Sequence, residues 1–134
     1  MTREEETSVA LPPGDPVYGS PTAVELLEAV EGFLRDGFVG ADRALTFQAR
    51  VAANVVAVVR RQLEAGSATY DEVTAALAGL GVAGEKALAA EVRAGRIDHR
   101  SSELRQVLEL LARTRLAVAN PRYLEQERED VRTT

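Results

Sequence analysis

The chain has 134 residues, a formal net charge of −5, 46% hydrophobic residues and 28% charged residues. That length fits one domain with a buried core, and the excess of acidic side chains disfavours binding to a nucleic-acid backbone. The sequence contains no cysteine, which excludes disulfides, thiolate metal sites and cysteine nucleophiles. Because only 4% of the residues are aromatic, Leu, Val and Ala must fill the core, and this favours packed helices over a β-sandwich.

The N-terminal segment, residues 1–19, is rich in proline and glycine and has no periodic apolar pattern, so it is predicted to be a flexible leader. It lacks the basic start and the apolar stretch of a secretory signal. No apolar run in the sequence reaches the roughly 18 residues that a membrane span needs. These features predict a cytoplasmic protein that does not bind membranes.

The first long helix is predicted from Thr22 to Asp36, ending at Gly37. Pro21 suits the first turn of a helix, and Thr22 with Glu25 is typical of a capping box. Six apolar residues recur at helical spacing and predict one buried stripe: Ala23, Leu26, Leu27, Val30, Phe33 and Leu34.

The second long helix is predicted from Ala44 to Ala65, with a stop at Gly66. Its apolar residues cover about half of the circumference, which is typical of a central helix that several neighbours contact. Asn54 lies at the edge of this apolar surface, and Arg50 and Arg61 lie on the same flank.

Two short helices are predicted next, over residues 70–80 and 84–94, followed by a last long helix over residues 101–119 that Pro121 ends. The expected fold is therefore all-α, a single-domain bundle of three long helices and two short ones over residues 20–124. Residues 125–134 are expected to form a charged tail that frays into solvent.

Arg115, Arg50 and Asn54 are the candidate ligand-binding residues. Arg115 falls inside an apolar stripe, where it could clamp a phosphate, a carboxylate or a pantetheine group, or pack its stem on the core while its head reaches solvent. Arg50 and Asn54 lie one turn apart and could hold a ligand together. Alternatively, Asn54 bonds a neighbouring backbone and fixes the helix register.

Three further polar residues, Asn120, Arg122 and Tyr123, are interpreted as structural: a helix stop, with the tyrosine packed back on the bundle. His99 stands in a loop beside Asp98, too few ligands for a metal site. No catalytic residue, metal or cofactor is predicted, because no motif for them occurs. The helices around residue 81 have helix-turn-helix spacing but little positive charge, so nucleic-acid binding is not expected.

Three segments in order, Pro21–Leu34, Phe47–Asn54 and Arg115–Leu124, carry a family resemblance. With them the chain resembles a bacterial family of small helical domains of unknown function. Genes of that family tend to lie beside genes for aminoglycoside-phosphotransferase-like kinases and acyl-CoA dehydrogenases. The resemblance implies an accessory role in acyl-CoA or related catabolism, and it implies no catalytic residue.

Two functions follow as hypotheses. The first is a non-catalytic helical partner domain for a kinase-like or acyl-CoA-processing enzyme, with a homodimer as a further option, because a small bundle leaves part of so broad an apolar helix uncovered. The second is a binding domain or modest enzyme for a small anion, an acyl-CoA or a phosphorylated metabolite, that uses Arg50, Asn54 and Arg115.

Overall fold

A computed structural model describes residues 17–133 and confirms the all-α fold class. Within that range there are five helices and no strands. The helices are α1 (Ala23–Asp36), α2 (Arg43–Gly79), α3 (Glu85–Arg93), α4 (Ser102–Ala119) and α5 (Pro121–Thr133). Most of the predicted leader, residues 1–16, lies outside the described residues. None of the five helices combines the length and the apolar character needed to cross a bilayer.

Helix α1 begins with the predicted capping box. The hydroxyl of Thr22 accepts a hydrogen bond of 3.2 Å from the backbone N–H of Glu25, and the Glu25 carboxylate accepts one of 2.7 Å from the N–H of Thr22. At the other end, the N–H of Gly37 donates to the carbonyl of Phe33 at 2.8 Å. The local sequence signals therefore define both ends of this helix.

Helix α2 differs from its prediction. The structure has one run of 37 residues, in which Gly66 alone leaves the helical conformation, with φ 66° and ψ −167°. The stop at Gly66 is thus a break of one residue, and the segment predicted as a separate helix over residues 70–80 is the second half of α2. A glycine can adopt this positive φ at little cost, so the chain changes direction without a loop.

The helices pack in two regions, one on each side of Gly66. Before it, α1 lies on α2, where Ala49, Ala53 and Ala57 are buried one turn apart. After it, the second half of α2 packs with α3 and α4 around the main core. The buried residues of that core are Leu77, Val82, Leu88, Leu104, Val107 and Leu111.

The predicted buried stripe of α1 is wrong for four residues: Ala23 is exposed, and Leu26, Val30 and Phe33 are 53%, 47% and 63% exposed. The half-buried side chains of α1 lie on a neighbouring flank; they are Val24, Leu27, Glu31 and Leu34. The reason is that α1 packs chiefly on one neighbour, α2, and a single helix contact covers only one flank.

The charged segment that follows residue 124 is helical in the structure, where we expected it to fray. It forms the greater part of α5, which packs on α4. Arg113 of α4 and Glu127 of α5 form an ion pair at 3.4 Å. The five helices of the structure are therefore not the five that the sequence predicted, since one predicted short helix joins α2 and α5 is additional.

Candidate functional site

A groove of about 700 Å³ lies between the first half of α2 and the junction of α4 with α5. Its polar lining consists of four arginines and two asparagines: Arg35, Arg50, Arg61, Arg122, Asn54 and Asn120. Its apolar lining comes mainly from valines and alanines of α2 and the end of α4. The groove therefore joins a strongly basic wall to an apolar one.

Local structure places these polar side chains. Arg50, Asn54 and Arg61 are four and seven residues apart, a spacing that sets them on one flank of α2. Asn120 precedes a proline and leaves the helical region, with φ −150° and ψ 71°, so α4 ends there and α5 starts in a new direction. That turn brings Arg122, in the first turn of α5, to the side of α2.

Two of the arginines are fixed by other groups. The Nε of Arg61 donates a hydrogen bond of 2.7 Å to the carbonyl oxygen of Val118. Arg35 donates from Nη2 to the side-chain oxygen of Asn54 at 3.3 Å and to the carboxylate of Glu31 at 3.1 Å. Asn54 thus contacts a side chain of α1, where we had considered a backbone partner.

The other two, Arg50 and Arg122, have no hydrogen-bonding or ion-pair partner on their side chains within residues 17–133. No aspartate or glutamate lines the groove, although the chain has 21 acidic residues and 16 basic ones. In a molecule of net charge −5, this groove is consequently a local concentration of positive charge.

The carboxylate beside the groove belongs to Glu31, which also accepts a hydrogen bond of 3.0 Å from Arg60. Burial raises the pKa of Glu31, but the hydrogen bonds and the positive charges of Arg60 and Arg35 lower it by more, so the pKa lies below its ordinary value. Glu31 therefore stays ionised at neutral pH and holds Arg35 at the edge of the groove.

The predicted site residues separate into two places. Arg50 and Asn54 line the groove together, and Asn120 and Arg122 line it with them. Arg115 does not: its side chain is 65% exposed and forms an ion pair with Glu85 of α3. It continues the apolar stripe of α4 one turn beyond Leu111, but the main core ends there, so its head group meets a carboxylate at the surface.

The structure also places the other residues that the sequence analysis considered, Tyr123 and His99. Tyr123, which the sequence predicts to pack back on the bundle, is 53% exposed. The Nδ1 atom of His99 lies 3.8 Å from a carboxylate oxygen of Asp98, and both side chains are mostly exposed. No group of three or more candidate metal ligands occurs within the part of the chain that the structure describes.

Sequence reasoning did not select Arg61 and Arg35 as site residues. Arg61 carries a usable signal, since it lies on the flank of α2 that also bears Arg50 and Asn54. Arg35 carries none: it belongs to the charged side of an amphipathic helix, and only the packing of α1 on α2 turns it toward the groove.

A family model described as "Domain of unknown function (DUF6285)" matches residues 40–123, more than half of the chain, so the chain belongs to this family. The match contains every residue that lines the groove except Arg35, which belongs to α1. No curated protein and no solved structure matches the chain.

Proposed function

We propose that this member of the family is a cytoplasmic, non-catalytic partner domain that binds an enzyme through an apolar face shared by α1 and α2. The observation that carries the proposal is this face, which we define by Leu26, Val30 and Phe33 of α1 and by Val59 and Leu63 of α2. All five side chains are between 42% and 63% exposed.

The two helices contribute to the same side of the molecule. The hydrogen bond between Arg35 and Asn54 marks one side of the α1–α2 pair, the side of the groove. At 3.6 residues per turn, the apolar residues of the face are turned roughly 140–180° from Arg35 on α1 or from Asn54 on α2. They therefore point away from Arg35 on α1 and away from Asn54 on α2, and none of the five lines the groove.

Such a face suits a helical partner. Apolar residues on two adjacent antiparallel helices form a shallow channel that can accept the apolar side of an amphipathic helix. A contiguous patch of this kind on a soluble domain is typical of an interaction surface. The partner we propose is a kinase-like or acyl-CoA-processing enzyme, the class that the family resemblance suggests.

The composition of the groove supports a non-catalytic role. Its lining contains arginine, asparagine, valine, alanine and proline, with no carboxylate, histidine or hydroxyl group. General acid–base or nucleophilic catalysis near neutral pH usually requires one of those groups, so the site is better suited to binding than to reaction.

The test is co-expression of the tagged full-length chain with the phosphotransferase-like product of a neighbouring gene, followed by co-purification and measurement of the solution mass. We expect a stoichiometric complex that is lost in Phe33→Glu and in Val59→Glu. Val131→Glu is the matched control, because it places the same charge on an exposed apolar residue of α5, outside the face.

The proposal is wrong if the chain is a stable monomer that no neighbouring enzyme retains at micromolar concentration. A mass twice that of the chain, again lost in Phe33→Glu, would assign the face to a second copy of the chain instead of an enzyme. Equal loss of the complex in Val131→Glu would mean that the face is not the contact.

A further inference from the structure

We infer that the groove between α2 and the α4–α5 junction is a binding site for an organic phosphate, whose phosphate lies between Arg50 and Arg122 and whose apolar part lies against Val51, Val55 and Val58. This site shares no lining residue with the apolar face. The inference is therefore independent of the partner function proposed above.

Charge is the first argument. Four guanidinium groups converge on the groove without one lining carboxylate, and like charges held together repel one another. Arg50 and Arg122 keep all their donors unused among the described residues. A phosphate bound between them removes the repulsion and accepts several charge-assisted hydrogen bonds, which planar guanidinium groups form especially well with phosphate.

The other polar groups strengthen the preference for an anion. Arg61 uses its Nε on the Val118 carbonyl, which fixes the guanidinium in place and leaves its outer N–H groups free to donate. The side-chain oxygen of Asn54 accepts from Arg35, so the amide group of Asn54 offers N–H donors to the groove. The groove therefore presents mainly donors, the opposite of what a cation would need.

Size and apolar lining are the second argument. A volume of about 700 Å³ lies within the range of small-molecule sites and is far larger than an inorganic phosphate needs. Val51 and Val55 are 45% and 59% exposed, so a ligand that covers them removes apolar surface from water. Both features indicate a phosphate that carries an apolar body.

The experiment is calorimetric titration of the full-length protein with methyl phosphate and with hexyl phosphate at low salt. We expect saturable binding, tighter for hexyl phosphate by at least about tenfold because five additional methylene groups become partly buried. Arg50→Gln and Arg122→Gln should each weaken the binding of hexyl phosphate by about tenfold or more, since each removes a charge-assisted contact.

Arg93→Gln is the matched control. It makes the same change in net charge at an exposed arginine of α3 that has no ion pair among the described residues and does not line the groove. We expect its affinity to equal that of the unaltered protein. Asn54→Asp is the second variant, because it places a negative charge in the groove beside Arg35. It should abolish the binding of hexyl phosphate while the protein stays folded.

Three results would overturn the inference. The first is no saturable binding at millimolar hexyl phosphate. The second is an equal loss of affinity in Arg93→Gln and Arg50→Gln, which indicates attraction to net charge alone. The third is hexanoate binding as tightly as hexyl phosphate, which removes the assignment to a phosphate. Circular dichroism and the melting temperature of each variant verify that the fold is intact.

Discussion

The Nε of Arg61 donates a 2.7 Å hydrogen bond to the carbonyl oxygen of Val118, although the two residues are 57 positions apart in the chain. Val118 is in the last turn of α4, where backbone carbonyls have no partner within the helix. One side chain of α2 thus caps α4 and fixes the position of the α4–α5 junction. The geometry of the groove depends on this bond.

The Arg61→Gln variant should be destabilised by about 1–2 kcal/mol, because a charge-assisted hydrogen bond to a part-buried carbonyl is lost. Urea denaturation measures this change. Arg50→Gln removes the same charge from the same flank of α2, but Arg50 has no such partner, so its stability should change by less than about 0.5 kcal/mol. Equal losses in the two variants would contradict a structural role for the Arg61 bond.

Glu31 should contribute stability that depends on pH. Its pKa in the folded chain lies below the ordinary value of 4.5. The contribution is therefore complete above about pH 4.5 and is lost as the pH falls through the lower pKa of the folded state. We expect Glu31→Gln to cost about 1–2 kcal/mol at pH 7 and progressively less below pH 4.5.

Thermal melting of Glu31→Gln and Glu28→Gln between pH 3 and pH 7 checks this dependence. Glu28 lies on the same helix but forms no ion pair among the described residues, so its variant should follow the unaltered protein across the range. A stability difference for Glu31→Gln that stays constant with pH would rule out the titration of this carboxyl as its cause.

Gly66 should resist substitution. With φ 66° and ψ −167° it occupies a region that is open essentially to glycine alone, so Gly66→Ala is expected to cost about 1–3 kcal/mol even though nothing lies within 4 Å of the added methyl group. Gly32→Ala provides the comparison. Gly32 lies inside α1 with open space around it, and this substitution should stabilise the fold by about 0.5–1 kcal/mol.

Ala53 should not tolerate a larger side chain. It is completely buried in the first half of α2, between Ala49 and Ala57. Ala53→Leu is expected to cost about 1–3 kcal/mol, because the added atoms force the packed helices apart. Ala29→Leu on the exposed side of α1 should be close to neutral, since both residues are good helix formers. Denaturant midpoints compare the two variants.

The sequence predicted those parts of the fold that depend on neighbouring residues. The capping box at Thr22 and the end of α4 before Pro121 are local signals, and the structure contains both. Gly66 is also a local signal, but it interrupts α2 for one residue and does not end it. What it could not predict is which flank of a helix its neighbour covers. Leu26 and Phe33 follow the apolar period of α1, yet α2 covers the flank beside them.

In the candidate site, too, local sequence predicts some features, and the packing of distant helices determines the others. Arg50 and Asn54 are recognisable as a pair because one helical turn separates them. Their meeting with Asn120 and Arg122 depends on how α4 returns along α2, which no local pattern encodes. Arg115 falls within the apolar stripe of α4, but this stripe extends beyond the main core, so the Arg115 head group lies at the surface beside Glu85.

The two packing regions on either side of Gly66 have a consequence for cooperativity. Helix α1 belongs chiefly to one region, and the main core of α2, α3 and α4 is complete without it. Partial opening that releases α1 therefore requires less free energy than global unfolding, and backbone amides of α1 should exchange with solvent before those of α4. A partner bound across α1 and α2 would oppose the release of α1. Helix α1 would then unfold only together with the rest of the protein.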